Sequence, residues 1–457
     1  MRSKMNTRMM LAFGGVITAF LVACSSATTP AAGPTPQIPP AVQPAPAPAV
    51  APSPVATSAT VTAIVPTVAP TTEPAPSPTE PAQQTQPTQA EPSPAAEGSA
   101  TSFAWTIEDV GEGAKPAIAL TDDGSAYVAY MLEAMPGFVK VARRDDSGWQ
   151  TDTVEEGYFY GPLDLVSGPD DTIHLTYHDH EENQFQPDKG DVAYAVLENG
   201  EWSKENVFNN GHDGWDTRLF VDSNGNAHIS AIDPEEFNGA GLEYYRQDSS
   251  GDWTVEQVGS GSITYKYATA VATDAQGNPH IAYYDQRGND LALASRTDSG
   301  WEINTVDGDG STGLFSALVI DASGRYHISY FEKETNSSGI VKYATKTAND
   351  SDWEIREVGP LDSLSFGFVG ARNITSVAVD SSGNPWIAYT DEEVVNLAVW
   401  DGVEWQTSVV ADSSDGSLGQ IISLKLDGND DPHLAYVEGA SSRAADGVVK
   451  YATGERG

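Results

Sequence analysis

Two stretches of the 457-residue chain concentrate side chains able to hold a ligand. HDHEENQFQPDKGD carries His178, His180, Glu181 and Glu182, and NNGHDGWDTR carries His212, Asp213, Trp215, Asp216 and Arg218. An exposed indole beside carboxylates, a guanidinium and imidazoles is suited to gripping a sugar, the ring stacking and the polar groups taking hydroxyls. Tyr158, Phe159, Tyr160, Tyr265, Tyr267, Phe366 and Phe368 lie in corresponding stretches elsewhere. They would extend an aromatic platform, or fold beneath their own loops as small satellite cores. Two carboxylates, such as Asp179 or Glu181 with Asp213 or Asp216, would flank a glycosidic bond in a glycoside hydrolase or polysaccharide lyase. His178, His180 and His212 would alternatively hold a metal. With 65 Asp and Glu in the chain, such constellations arise readily by chance. The expectation is therefore binding of a carbohydrate or protein ligand without chemistry, with a non-binding scaffold as a third reading and no required cofactor.

Other residues recur at fixed places. Asp179, Asp233, Asp285, Glu332, Asp391 and Glu438 end one strand of each repeat, with Leu132 in the remaining copy. They would cap the loops that begin there, or form an acidic funnel that concentrates cations. Asp427, Asn429 and Asp431 have the alternate spacing of a calcium loop but lack the following bidentate glutamate. Calcium is thus a possible divalent cation without being a required one. His174, His228, His280, His327 and His433 share one repeat position with Tyr127 and Trp386. Equivalent positions in separate repeats are too far apart to share an ion, so a packed ring with a polar handle explains all seven better than a metal array.

The elements that must position these residues come from a repeat. VDSNGNAHISAID, TDAQGNPHIAYYD, IDASGRYHISYFE, VDSSGNPWIAYTD and LDGNDDPHLAYVE are copies of one unit, and LTDDGSAYVAYML and SGPDDTIHLTYHD complete a set of seven. Their marker residues Tyr127, His174, His228, His280, His327, Trp386 and His433 lie 47, 54, 52, 47, 59 and 47 apart, the period of propeller blades. In each copy a short apolar strand enters a turn bearing Gly124, Asp171, Gly225, Gly277, Gly324, Gly383 or Asp430, a place that calls for positive φ. The Asp before it, as in Asp222, Asp274, Asp321, Asp380 and Asp427, should accept backbone hydrogen bonds within the turn. A second strand follows, then a third (LEYYR, LALASR, IVKYATK, VVKYATG), then a fourth starting at Trp149, Trp202, Trp253, Trp301, Trp353 or Trp405. The seventh such tryptophan is Trp105, at the front, and the last copy ends after its third strand. The first strand should therefore join the last three and close a ring, which removes open sheet edges.

The unit VDSSGNPWIAYTD resembles the repeats of NHL and related bacterial β-propellers, SBBP-type repeats included, over residues 101–457, and more loosely those of BNR or sialidase-like propellers. The resemblance implies an all-β, seven-bladed β-propeller of four-stranded antiparallel blades. Two residues separate Asp380 from Gly383, as they do Asp222 from Gly225, which departs from the BNR Asp-box, and no arginine triad is in place. Sialidase chemistry does not carry over.

The N-terminus reads as a secretory signal over residues 1–23, with Arg2, Lys4 and Arg8 before an apolar run too short to be a good spanning helix. It closes in Leu21-Val22-Ala23-Cys24, which resembles a bacterial lipobox and implies acylation of Cys24, the single cysteine of the chain. Residues 24–100 read as a disordered stalk: positions 27–100 hold 19 of the 29 prolines and no Lys, Arg or aromatic residue. Fully extended, such a segment would reach on the order of 200 Å. Setting aside three basic residues of the signal and four acids of the stalk, residues 101–457 keep 61 acids against 21 bases, a net charge of −40. Phosphate backbones need the opposite sign, so nucleic acid is excluded as a partner. The expected protein is a monomer on the cell surface, attached to the membrane by lipid.

Overall fold

The computed structural model describes residues 103–132, 136–180, 190–207, 214–233, 240–263, 269–364, 373–413, 418–439 and 447–456. Residues 90–457 form one compact unit. Its regular structure among the described residues is antiparallel strand, apart from a short 3-10 turn at Pro169–Asp171. Four sheets have four strands each. In chain order they comprise Trp215–Val221, Ala227–Asp233, Ala240–Gln247 and Trp253–Ile263; Ala270–Thr273, Pro279–Asp285, Asp290–Thr297 and Gly300–Asp307; Leu314–Ile320, Arg325–Lys333, Gly339–Thr347 and Glu354–Leu361; and Thr375–Val379, Pro385–Thr390, Val394–Trp400 and Trp405–Asp412. The remaining ten strands are hydrogen-bonded in one series, because two long strands change partner midway. Phe103–Leu120 pairs with Gly447–Arg456 as far as Gly113 and then, from Ala114, with Ala126–Leu132. Gly148–Ser167 pairs with Gly137–Asp145 as far as Gly157 and then, from Tyr158, with Ile173–His180.

The first strand of every repeat lines one cavity of about 250 Å³. Ala117, Asp164, Arg218, Ala270, Ala317, Ser376 and Ser423, at one repeat position, all face it. Four-stranded antiparallel sheets arranged around a common cavity are the architecture of a β-propeller.

Burial explains the strand sequences. Second strands such as Pro279–Asp285 and Pro385–Thr390 are buried on both faces, since each sheet is sandwiched between its neighbours. Their residues are accordingly a near-continuous run of Ile, Ala and aromatic side chains. Fourth strands such as Glu201–Asn206 are largely exposed and charged.

The turn between first and second strands needs positive φ, as its sequence suggests: φ is 82° at Gly225, 83° at Gly383, 59° at Asp171 and 63° at Asp430. An aspartate there strains the backbone but adds a link. Asp171 Oδ1 accepts from the Asp122 backbone N–H at 2.8 Å, and Asp430 Oδ1 accepts from that of Ser381, also at 2.8 Å. Both links reach the turn of the preceding repeat. The turn's leading aspartate accepts backbone N–H groups: Asp222 Oδ1 takes those of Asn224 and Asn226 at 2.8 and 2.9 Å.

Marker histidines bridge these turns to the third strand. Nδ1 of His228, His327 and His433 lies 2.6, 2.7 and 2.5 Å from the hydroxyls of Tyr244, Tyr343 and Tyr451. Nε2 faces the turn carboxylate, at 3.1 Å for His327 and Asp321. Burial holds these imidazoles below their ordinary pKa, so the neutral ring accepts the tyrosine O–H at Nδ1, and in His327 it donates from Nε2 to Asp321. Each such tyrosine also packs edge-on against the tryptophan of the next repeat, as in Tyr194 with Trp253 at 5.1 Å and Tyr244 with Trp301 at 5.3 Å. The indole N–H of Trp253 donates to Glu205 and that of Trp301 to Glu256, each on the preceding repeat. The histidines thus brace turn to third strand within a repeat, and their tyrosines carry the contact to the next one.

Candidate functional site

His178 departs most from the repeat. It lies four residues past the marker, a slot filled elsewhere by Met131, Ile232, Tyr284, Phe331, Thr390 and Val437. An imidazole stands there in this copy alone. His178 is 1% exposed, and neither ring nitrogen has a hydrogen-bond partner among the described residues. Its ring packs at 5.5 Å against Trp215 and at 5.8 Å edge-on against His180. Burial first, and His180 and Lys115 second, push its pKa down to about 3, so the imidazole is neutral. Gly190 lies directly against it: a Cβ there would collide with His178 Nε2.

From this pair of rings the chain runs toward the central cavity. Trp215 opens its strand after Gly214, whose φ of 99° and close approach to Asp191 leave no space for a side chain. Asp216 follows in the left-handed region at φ 54° and is fully buried. Its Oδ2 accepts from the Thr269 N–H of the next repeat at 3.1 Å. Its Oδ1 lies 3.3 Å from Arg218 Nη2, an ion pair whose two atoms nevertheless lack hydrogen-bond geometry. Burial raises the Asp216 pKa to about 6 despite Arg218 and the Thr269 N–H, which pull it down. Arg218 lines the cavity beside Asp164, whose Oδ1 and Oδ2 accept from the backbone N–H groups of Leu165 and Leu219, each at 3.0 Å.

The structure thus places His178, His180, Trp215, Asp216 and Arg218 in one region, but it corrects how they are presented. Trp215 is not an exposed stacking platform; it is 6% exposed and belongs to the core between its own sheet and that of Pro279–Asp285, with Ile232, Leu242 and Tyr283. Strand pairing of Trp215 with Ile232 draws its side chain inward. Phe159 is buried likewise, edge-on to Tyr177. Glu181, His212, Asp213, Tyr265, Tyr267, Phe366 and Phe368 lie outside the described residues, as does Cys24. Among the described residues no group of three His, Cys, Asp or Glu side chains is set to hold a metal, and no helix is long and apolar enough to cross a membrane. Asp427 Oδ1 accepts the N–H groups of Asn429 and Asp431 at 2.8 and 2.9 Å, the same turn geometry as Asp222.

The residues of the acidic ring are engaged in local contacts. Asp391 is buried and accepts four backbone N–H groups, from Asp362, Ser363, Glu393 and Val394. Asp285 pairs with Arg287. Glu332 pairs with Lys342 and Glu438 with Lys450, at 2.6 and 2.7 Å. Asp179 and Asp233 also have partners. Loop capping and local ion pairing account for the ring. Lys342 reaches Asp307 as well, which accepts the Tyr330 hydroxyl at 2.7 Å. This buried polar knot was not among the sequence candidates. Neither were Asp164 and Lys425 of the cavity wall, although Asp164 and Arg218 stand in a column that otherwise holds only Ala and Ser.

No protein-family model and no curated protein matches the sequence. Among solved structures, the chain is similar to AofleA from Arthrobotrys oligospora, at 15% identity and a TM-score of 0.44 over 70% of this chain and 92% of that one. A PL25 ulvan lyase bound to a glucuronate and sulfated rhamnose unit matches at 13% identity and 0.49, over 76% and 96%. Trypanosoma rangeli sialidase matches at 10% and 0.43, over 76% and 59%. Likeness of this degree transfers no ligand, residue or reaction to the present chain.

Proposed function

We propose that the chain is a lipid-anchored cell-surface protein whose residues 101–457 form a seven-bladed propeller that binds an extracellular carbohydrate or protein ligand. In this reading residues 1–23 are the signal, Cys24 carries the lipid and residues 24–100 are the spacer. Dividing the two long strands where they change partner gives seven four-stranded blades, with Phe103–Gly113 completing the last. The observation that carries the binding reading is His178, a buried imidazole without a hydrogen-bond partner among the described residues, in a slot that elsewhere holds Met, Ile, Tyr, Phe, Thr and Val. Buried unsatisfied polar groups are scarce in native proteins and persist where function maintains them. In sequence His178 lies just before 181–189, and its ring partner Trp215 just after 208–213, stretches whose Asn, Gln, Asp, Glu, His and Phe side chains offer what sugar hydroxyls and ring faces take.

The first and last strands pair with each other, so residues 90–457 need nothing from the segment before them to complete their sheets. The test is to apply residues 90–457 to an array of glycans and polysaccharides while following product release. Saturable binding without turnover supports the reading. Turnover points to the glycoside hydrolase or polysaccharide lyase alternative, and absence of binding leaves a protein partner or a scaffold.

A further inference from the structure

We infer that the central cavity is a separate binding site for a small oxyanion, a phosphate, sulfate or carboxylate group held between Arg218 and Lys425. Both residues line the same cavity of about 250 Å³, room for roughly eight waters or one small anion with part of its hydration shell. Lys425 is half-buried and forms no ion pair among the described residues, in a domain where 61 acids outnumber 21 bases. Arg218 is nine-tenths buried, and its Nη2 meets Asp216 only at 3.3 Å and without hydrogen-bond geometry, so donors remain available.

The rest of the wall is donor-rich too. Ser376 Oγ accepts the Leu424 N–H at 3.1 Å and Ser423 Oγ accepts that of Ile118 at 3.2 Å. A hydroxyl whose lone pair is engaged still has its proton to give. The one carboxylate on the wall, Asp164, already uses both oxygens on backbone N–H groups. Two cations and two hydroxyl donors, with the acceptor already occupied, suit an anion. The inference does not depend on the binding reading above, because it rests on the first strands and not on the connectors.

The test is isothermal titration of residues 90–457 with inorganic phosphate, glucuronate and glucose. Phosphate or glucuronate should bind and glucose should not. Lys425→Gln should weaken phosphate binding roughly tenfold or more, as expected for a lost charge-assisted contact. Ala317→Asp, which adds a carboxylate to the ring of residues around Arg218, should abolish it, and an unchanged circular dichroism spectrum would show that both variants fold. Phosphate binding tighter than glucuronate identifies the free ion as the occupant, and the reverse identifies the acid group of a sugar. No binding of either anion by the wild type, or equal affinity in both variants, overturns the inference.

Discussion

Tyr451 on the last strand and Trp149 near the start of the fold pack edge-on, ring centroids 5.0 Å apart and planes at 75°. The same contact joins Tyr194 to Trp253 and Tyr343 to Trp405, so Tyr451 meets Trp149 through the joint used elsewhere between successive repeats. Trp149 also donates its indole N–H to Glu108 on the strand that completes the last sheet.

Trp149→Ala should therefore cost about 3 kcal/mol, within the range for truncating a packed aromatic. Trp149→Phe should recover about half, keeping the ring contact and losing the hydrogen bond. Equilibrium urea denaturation measures both. Deleting residues 103–113 should do more, exposing the edge of Gly447–Arg456 and causing aggregation on refolding. A monomeric, fully folded deletion would show that the closing strand is dispensable.

A second joint tests how the core is filled. Six repeats place a buried tyrosine three residues past the marker (Tyr130, Tyr177, Tyr283, Tyr330, Tyr389, Tyr436), while the third has Ala231. Tyr245, on the adjacent strand and the same face, stands where the other six have alanine. It is fully buried, packs in one cluster with Ala231 and donates its hydroxyl to Glu243. The large and small residues have exchanged strands. Tyr245→Ala should cost roughly 3–5 kcal/mol, and the double variant Ala231→Tyr with Tyr245→Ala should regain at least half of it. Additive losses in the double variant would refute the exchange.

Acid should unfold the domain through its histidines. Burial lowers the pKa of His174 to about 4 and that of His178 to about 3, and lowers those of His228, His280, His327 and His433 as well. The unfolded chain binds more protons than the folded one between these values and the ordinary histidine value near 6.5. Stability is thus present above about pH 6.5 and falls as pH drops through that window, by on the order of 3 kcal/mol for His174 alone. Asp216 works in the opposite sense, since its raised pKa makes the folded state the better proton acceptor between about 4 and 6. With six histidines against one aspartate, Tm should fall steadily from pH 7 to pH 4. A flat profile over that range would contradict the neutral, buried assignment.

The period, the four-strand unit and the positive-φ turn were legible, because each depends on residues repeated in register. Asp171 and Asp430 could be placed in the glycine column by alignment alone. Exposure of Trp215 could not, because the sequence gives its neighbours along the chain but not the pairing with Ile232 that turns it into the core. The ion pairs of the acidic ring were not legible for a related reason. Its partners Lys342 and Lys450 sit across a strand pair, and sequence spacing does not show which ends of those strands face one another. Arg218 and Asp164 were visible as exceptions in an Ala and Ser column, but only the ring geometry shows that the column faces one cavity.

The measurement that bears most directly on the binding reading compares residues 90–457 with their His178→Met variant on the same glycan and polysaccharide array. Methionine fills this slot in the first repeat, so the variant should fold and gain about 1 kcal/mol from removing a buried unsatisfied imidazole. Saccharide binding by the wild type that drops at least tenfold in a variant of equal or greater stability is the predicted result. Binding that is unchanged in the variant, or absent from the wild type across the whole array, would contradict it.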